Sequence, residues 1–303
     1  EASLACFVTH ERMMMNEDLR PRRSVLYMPS SNERALEKAK SIPCDALILD
    51  LEDAVAPDAK ESARANAVAA ARSGEYGRRE ITIRCNGIDT PWGAADVAAA
   101  ATSGAASIVI PKVDSAGYLD EIATRMVVAG APDTMTIWAM VETPTAILDI
   151  RSIAGHPRVN VLVMGNNDLA KELRTGVTPD RTPLLPHLAT ALLGAREAGK
   201  SILDGVYNDV RNIDGFRIEA EQAKVLGFDG KTLVHPSQVE PANEIWAPSE
   251  EEVDFSRRAI AAFEAAEAEG RGVITVDGRM IEHLHIANAR RIIAVADEIA
   301  ALA

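Results

Sequence analysis

Eight short runs of β-branched and aliphatic residues recur between residues 24 and 236, and longer Ala-rich segments with helical spacing separate them. Their near-continuous hydrophobicity is typical of strands that are covered on both faces. Eight alternating units predict an α/β fold, a (β/α)8 TIM barrel. A doubly wound open sheet could use the same alternation, but it gives no reason for the number eight. The predicted strands are 24–29, 45–52, 80–85, 107–112, 136–142, 161–168, 201–207 and 231–236.

The pattern changes after the eighth strand. Ser249 and Glu252 have the spacing of a capping box, which predicts a helix that runs to about Gly270. Two short alternating runs around Asp277 and Gly278 predict a hairpin, and a final helix begins at Glu282. The predicted domains are therefore a catalytic barrel and a helix-hairpin-helix extension that acts as a lid and in oligomerisation. Their bounds are 19–247 and 248–303, and 1–18 is interpreted as a disordered or upstream segment.

The charge balance excludes several classes of partner. The chain has 32 Lys and Arg against 45 Asp and Glu, a formal net charge of -13, which would repel nucleic acid and anionic membranes. The uncharged stretch 97–111 is shorter than the ~20 apolar residues of a membrane span. Three cysteines without CxxC spacing favour a reducing cytoplasm over a secreted or zinc-binding protein.

Charged side chains follow the apolar runs at the carboxyl ends of the predicted strands, where barrel enzymes have their active sites. Glu142 and Asp168 belong to neighbouring strands, and the absence of Cys or paired His beside them favours Mg2+ over zinc. In the alternative interpretation, these acids form buried salt bridges with Arg84 and Lys112. The full series is Asp50, Glu52, Asp53, Arg84, Lys112, Glu142, Asp168, Asp204, Asp209 and His235.

A two-carboxylate magnesium site leaves positions open for water and for a substrate that brings its own oxygens, such as a 2-oxo acid. Arg84 would hold the substrate carboxylate or a developing oxyanion, because its guanidinium is a fixed fork of donors. Together these features predict carbon–carbon chemistry next to a carbonyl group.

Motifs at most strand ends resemble those of the citrate lyase β-subunit and malyl-CoA lyase family, within the HpcH/HpaI aldolases, which are Mg2+-dependent acyl-CoA enzymes. The resemblance spans residues 22–302. Its motifs are DALILDLEDAV (45–55), IRCNG (83–87), PKV (111–113), VET (141–143), MGNNDLA (164–170), DGVY (204–207), GKTLVHPSQ (230–238) and DGRMIEHLH (277–285).

The resemblance implies a role for each of these side chains. Glu142 and Asp168 would bind Mg2+, with Mn2+ as a possible substitute, and Arg84 would steady the oxygen of an oxo acid or enolate. Glu52 and Asp53 would form an acidic shell around metal-bound water. It further implies homotrimers or homohexamers whose C-terminal extension closes over the active site of a neighbouring subunit.

The implied reaction cleaves a malyl-CoA-type 3-hydroxyacyl-CoA into acetyl-CoA or propionyl-CoA and a 2-oxo acid such as glyoxylate or pyruvate. In malyl-CoA lyases an Asp of the extension acts as the general acid, whereas the matching residue here is Glu282. This variant resembles the malyl-CoA thioesterase branch, so hydrolysis of (3S)-malyl-CoA to malate and CoA is a rival prediction. A citrate lyase subunit acting on citryl- or citramalyl-CoA, active only with an acyl-carrier partner, is a third.

The CoA moiety of the substrate requires local positive charge on this acidic chain. Basic residues cluster around the first strand and the following helix, and the resemblance places part of that region near the nucleotide. Alternatively, these residues are solvated surface charges. The cluster comprises Arg20, Arg22, Arg23, Arg34 and Lys38, and the residues predicted to contact CoA are Arg22, Arg23, Tyr27, Pro29 and Lys38.

Three further patterns have less specific interpretations. The segment 194–201, GAREAGKS, formally matches a phosphate-binding loop, but its glycines close a predicted helix, so Gly199 is interpreted as a helix C-cap. His283 and His285 have an i, i+2 spacing that does not face one ion, which favours packing or lid contacts. His235 is either a proton shuttle or a structural residue.

Overall fold

The computed structural model describes residues 19–176 and 178–302, so the predicted upstream segment 1–18 lies outside the described residues. The described chain divides into two compact units. The first contains residues 22–245, and the second contains residues 19–21 and 246–302.

The first unit is a closed barrel of eight parallel strands in chain order, β1 to β8, in which β1 pairs with β8. The predicted barrel is therefore confirmed. The strands are β1 (Ser24–Pro29), β2 (Ala46–Asp50), β3 (Glu80–Arg84), β4 (Ser107–Ile110), β5 (Thr136–Val141), β6 (Val159–Met164), β7 (Ser201–Asp204) and β8 (Gly230–Leu233).

Helices follow the strands. Those that lie in the barrel unit are α1 (Glu33–Ala39), α2 (Lys60–Arg72), α3 (Gly93–Ala101), α4 (Ala116–Val128), α5 (Pro144–Leu148), α6 (Ile150–Ala154), α7 (Asn166–Leu173), α8 (Leu185–Glu197), α9 (Ile213–Leu226) and, up to residue 245, α10 (Val239–Trp246). Short polar residues begin several of them: the side chains of Asn32, Ser115, Thr143 and Asn212 accept backbone N–H bonds at the first turns of α1, α4, α5 and α9.

Several strands end earlier than predicted, because the predicted segments included the first residues of the loops or helices that follow them. Asp168 was predicted to close the sixth strand, but β6 ends at Met164 and Asp168 lies in the first turn of α7. Gly199 follows the end of α8 with a φ of 64°, so the glycine ends a helix as predicted and does not belong to a phosphate loop.

Alternating residues of six strands form one buried apolar cluster inside the barrel. Tyr27 packs against it and is half-buried. Because the interior is filled with side chains, open space for chemistry is confined to the strand ends. The cluster is formed by Val25, Ala46, Ile48, Val109, Trp138, Met140, Val161, Val163 and Leu203.

The second unit contains α11 (Glu250–Ala268), an antiparallel hairpin of β9 (Val273–Val276) and β10 (Arg279–Glu282), and α12 (His283–Leu302). Ser249 and Glu252 form the predicted capping box at the start of α11. Asp277 and Gly278 both have positive φ, 50° and 78°, as a two-residue hairpin turn requires. These predicted elements are confirmed. Among the described helices, none combines the length and apolar character needed to cross a membrane.

Candidate active site at the carboxyl end of the barrel

Arg84 and Asp50 end neighbouring strands and are partners in the β2–β3 register. The Arg84 Nε and Nη2 atoms donate to the two Asp50 carboxylate oxygens, each at 2.7 Å, and both side chains are buried. Burial by itself lowers the pKa of Arg84, but Asp50 raises it well above its ordinary value. The guanidinium is therefore charged and fixed in orientation.

The remaining Arg84 nitrogen faces the acids that follow β2. Nη1 lies 2.9 Å from Glu52 Oε2 and 3.5 Å from Asp53 Oδ2. The Tyr27 ring lies under the guanidinium, with its centroid 4.8 Å from the Arg84 Cζ atom. Glu52 is mostly buried and Asp53 is exposed. The structure thus places Glu52, Asp53 and Tyr27 around the Arg84 guanidinium.

Glu142 directly follows β5 and its carboxylate is held on two sides. Its Oε1 accepts the Lys112 backbone N–H at 2.7 Å, and a Cβ atom at Gly165 would lie 2.2 Å from its Oε2. Lys112 adopts a left-handed φ of 50°, which is uncommon for a residue with a side chain. Burial raises the pKa of Glu142 to about 7, although the Lys112 N–H lowers it; the Asp168 charge raises it further.

Asp168 is half-buried and close enough to Glu142 and Lys112 to affect the pKa values of both. β5 and β6 are adjacent, as predicted from the sequence. Burial, followed by the charges of Asp53 and Glu142, also raises the pKa of Glu52 to about 8, against the lowering effect of Arg84. This end of the barrel therefore carries carboxyl groups that repel each other when ionised.

Such an arrangement fits a divalent cation, because a cation would restore the ionised form of these carboxyl groups. The available donors are carboxylate oxygens, as Mg2+ prefers. Within 19–176 and 178–302, no three His, Cys, Asp or Glu side chains are grouped as ligands of one ion. The predicted binding of Mg2+ by Glu142 and Asp168 stays a prediction; as a pair they would leave coordination positions for water or substrate oxygens.

The salt-bridge alternative applies to Arg84, but its partners are the acids at the end of β2 and in the loop that follows it. Arg84 makes ion pairs with Asp50, Glu52 and Asp53. Lys112 contacts Glu142 through its backbone N–H.

Asp204 does not join the acids at this site, although its position at the end of β7 predicted that it would. It is fully buried, and Arg181 Nη1 donates to both of its carboxylate oxygens at 2.8 Å. Burial would raise its pKa, but Lys231 and Arg181 hold it below its ordinary value. Asp204 is therefore the centre of a structural ion network.

Arg22 and Arg23 precede β1 and lie at the amino end of the barrel, so their predicted contact with CoA at the opposite end needs correction. Arg22 is buried; it donates to Glu80 at 2.7 and 3.1 Å. Arg23 donates to Asp45 at 2.8 and 2.7 Å. A six-residue strand is about 20 Å long, which separates these arginines from the site.

The other residues predicted to bind CoA have mixed positions. Tyr27 lies under Arg84, and Pro29 ends β1 at the carboxyl end of the barrel. Lys38 is exposed in the last turn of α1, which runs back towards the amino end. Their contact with CoA stays a prediction.

Glu282 ends β10 in the second unit and is half-buried, and its backbone N–H donates to His285 Nδ1 at 3.2 Å. The His283 ring packs edge-on against Phe263 with centroids 4.8 Å apart. The catalytic role of Glu282 stays a prediction. His235 accepts the Ser237 N–H through Nδ1 and caps a short 3-10 helix, which agrees with its structural interpretation.

Sequence reasoning gave Asp50 no role beyond its place among the strand-end acids. Its pairing with Arg84 depends on the register of β2 and β3, which a single sequence does not reveal. Lys60 was missed altogether, because its partners include backbone carbonyl groups.

Known proteins resemble this chain over most of its length. Residues 23–236 match the model of the HpcH/HpaI aldolase/citrate lyase family. A (3S)-malyl-CoA thioesterase of Cereibacter sphaeroides is 50% identical over 95% of this chain and 99% of its own. The citrate lyase subunit beta of Escherichia coli is 35% identical over 92% of this chain and 94% of its own. The CitE protein of Mycobacterium tuberculosis, crystallised with magnesium, acetoacetate and coenzyme A, matches 90% of this chain and 97% of its own at 27% identity and a TM-score of 0.73. The chain belongs to the HpcH/HpaI aldolase/citrate lyase family.

Proposed function

We propose that this protein is a Mg2+-dependent enzyme that acts on a malyl-CoA-type acyl-CoA, and that its main reaction is hydrolysis of the thioester to malate and CoA. The observation that carries the chemistry is the carboxyl cluster of Glu142, Asp168 and Glu52 beside the fixed Arg84 guanidinium. The thioesterase relatives, 48–50% identical over nearly their whole length, support hydrolysis ahead of the carbon–carbon cleavage that the sequence analysis ranked first.

Glu142 and Asp168 would hold the magnesium ion, which when bound supplies Lewis-acid stabilisation of negative charge on a substrate oxygen. Arg84 binds the malyl carboxylate or the developing oxyanion. Its Asp53 contact is long, 3.5 Å, and the Asp53 side chain is 73% exposed, so a substrate carboxylate can replace it. The Asp50 pair keeps the guanidinium in place during this exchange.

Two carboxyl groups are proposed for proton transfer. Glu52 lies at the site, and its pKa, raised to about 8, is suited to exchange of a proton near neutral pH. Glu282 is proposed to direct a water molecule to the thioester carbonyl, on the basis of the family resemblance. We further propose a homotrimer or homohexamer in which the extension of one subunit serves the site of its neighbour. A cytoplasmic location also remains a prediction.

Carbon–carbon cleavage to an acyl-CoA and a 2-oxo acid is the second candidate. The fixed Arg84 guanidinium favours it, because the same donor that holds a carboxylate stabilises an enolate or oxo-acid oxygen. The citrate lyase relative supports this reading at lower identity. A subunit that needs an acyl-carrier partner receives less support, since hydrolysis and cleavage both use the groups of this chain alone.

The products of (3S)-malyl-CoA decide between these reactions. Purified protein is incubated with the thioester and Mg2+, and free thiol, malate, glyoxylate and acetyl-CoA are measured. Hydrolysis releases free CoA and malate in equal amounts, whereas cleavage releases glyoxylate and acetyl-CoA without free thiol. Loss of either activity with a chelator, and its return with Mg2+, supports the metal requirement. Absence of all four products with verified folded protein would contradict the proposal.

A further inference from the structure

The loop that follows β2, residues 51–56, is folded around two buried side chains. We call it the acidic loop because it carries Glu52 and Asp53. Asp50 accepts the backbone N–H groups of Glu52 at 2.9 Å and Ala54 at 3.1 Å. From the other side, the Lys60 ammonium donates to the carbonyl oxygens of Leu51 at 2.8 Å and Glu52 at 2.7 Å. Both peptide groups of Glu52 are thereby held.

Lys60 is itself fixed. It is the first residue of α2 and is only 5% exposed. Its third bond goes to Asn86 Oδ1 at 2.8 Å, in the loop after β3, and its ammonium lies 5.2 Å from the centroid of the Trp92 ring. An ammonium has three N–H donors, and three acceptors are present, so its burial leaves no donor unsatisfied. One side chain therefore joins the loops that follow β2 and β3.

A chain of polar contacts behind Lys60 limits its movement further. The Asn86 amide nitrogen donates to Leu51 O at 2.9 Å and to Asp96 Oδ2 at 2.6 Å. Asp96 is fully buried and accepts a bond from Arg64 Nε at 2.6 Å. This network anchors the acidic loop to α2 and α3, which carry Arg64 and Asp96.

The Glu52 carboxylate faces Arg84 Nη1 at 2.9 Å, so its position depends on the backbone that Lys60 holds. We propose that Lys60 is a positioning residue: through the acidic loop, it fixes Glu52 beside Arg84 and the metal-binding carboxylates. The proposal rests on the proposed function, because it assigns Glu52 to the surroundings of the magnesium site. The competing explanation is that Lys60 stabilises the fold alone.

A double-mutant cycle in Mg2+ affinity separates the two explanations. Calorimetric titration with Mg2+, without substrate, is applied to the wild type, Lys60→Met, Glu52→Gln and the double variant. Each single change should weaken binding by about 10-fold, the lower range for groups that orient metal ligands. The double variant should bind no more weakly than either single variant, because both changes remove the same oriented carboxylate. Additive losses, or unchanged affinity in Lys60→Met, would overturn the proposal.

Arg64→Met is the matched control. It removes the outermost ion pair of the same network, but Asp96 keeps the two bonds that hold Asn86, from its backbone N–H at 3.0 Å and its side-chain amide at 2.6 Å. It should lower the melting temperature without changing Mg2+ affinity. If Lys60→Met does not fold, Lys60→Gln keeps an amide donor on a shorter side chain and enters the same cycle, with an intermediate loss expected. Affinity that follows melting temperature across all variants would assign Lys60 to stability alone.

The outcomes also separate this proposal from the proposed function. A folded wild-type protein that does not bind Mg2+ contradicts the proposed function and removes the basis for the role of Lys60. Wild-type binding with no effect of Glu52→Gln contradicts the role of the acidic loop while leaving Glu142 and Asp168 as ligands. If the wild type binds Mg2+ and Glu52→Gln weakens binding but Lys60→Met does not, the result contradicts only the role of Lys60.

Discussion

Asp50 and Arg84 face each other across the β2–β3 register and are joined by two hydrogen bonds of 2.7 Å. Asp50 also accepts two backbone N–H groups of the acidic loop. The buried Asp50 carboxylate thus orients both the Arg84 guanidinium and the loop that carries Glu52. Because each of its oxygens serves a charged donor and a backbone donor, its loss should affect stability and chemistry together.

Asp50→Asn should lower the free energy of unfolding by about 2–4 kcal/mol, because it leaves the buried Arg84 charge without its bidentate partner. Chemical denaturation measures this loss, and kcat/KM should fall with it. Asp53→Asn is the matched control. Its side chain is 73% exposed and its contact with Arg84 is 3.5 Å, so its effect on stability should be below about 0.5 kcal/mol. Equal losses in the two variants would refute the role assigned to Asp50.

Glu142→Gln and Asp168→Asn should each abolish activity and weaken Mg2+ binding while the barrel stays folded. Each change keeps the size of the side chain but removes a charged ligand. Calorimetric titration with Mg2+ and circular dichroism separate loss of the metal from loss of the fold. Full activity in either variant would show that the residue is not a magnesium ligand.

Mg2+ affinity should increase as the pH rises from about 6 to 8. The Glu142 carboxyl has a pKa raised to about 7 and is protonated below that value, so the ion must displace a proton there. The raised value also means that Glu142 favours folding at low pH and that this contribution is lost as the pH rises through 7. Titrations in buffers of different ionisation enthalpy should detect release of about one proton per ion from Glu142 at pH 6, up to one more if the ion also ionises Glu52 with its pKa of about 8, and less in total at pH 8. Identical proton release at both values would contradict a protonated Glu142 in the metal-free protein.

Glu282→Ala should reduce turnover by about 100-fold or more while substrate still binds, as expected when a positioned acid or base is lost. Mixed oligomers of Glu282→Ala and Asp168→Asn chains should regain part of the activity if the extension serves a neighbouring subunit. No recovery in verified mixed oligomers would assign Glu282 to its own subunit or to no chemistry.

Glu282→Asp tests the reaction type. If the longer carboxylate directs water to the thioester, its shortening should decrease malate formation relative to glyoxylate formation. Product ratios from (3S)-malyl-CoA measure this effect. An unchanged ratio would show that Glu282 does not determine the choice between hydrolysis and cleavage.

The sequence predicted the barrel because eight buried strands require eight apolar runs, and this requirement is visible without coordinates. It also placed Arg84, Glu52 and Glu142 at the same end, because parallel strands point their carboxyl ends one way. It misplaced Arg22 because residues before and after one strand are close in sequence but lie at opposite ends of the barrel. Lys60 left no signal, since a lysine at the start of an amphipathic helix is ordinarily an exposed residue.

The left-handed backbone of Lys112 has a consequence for engineering this enzyme. A non-glycine residue in that conformation stores roughly 1 kcal/mol of strain, which glycine would not have. Glycine would also make the unfolded chain more flexible, by a similar free energy of opposite sign. The two backbone contributions therefore offset each other, whereas the N–H that orients Glu142 would gain freedom. Glycine would also remove the Lys112 charge, which opposes the effect of burial on the pKa of Glu142. Position 112 therefore controls both the rigidity of Glu142, the proposed magnesium ligand, and the positive charge beside it.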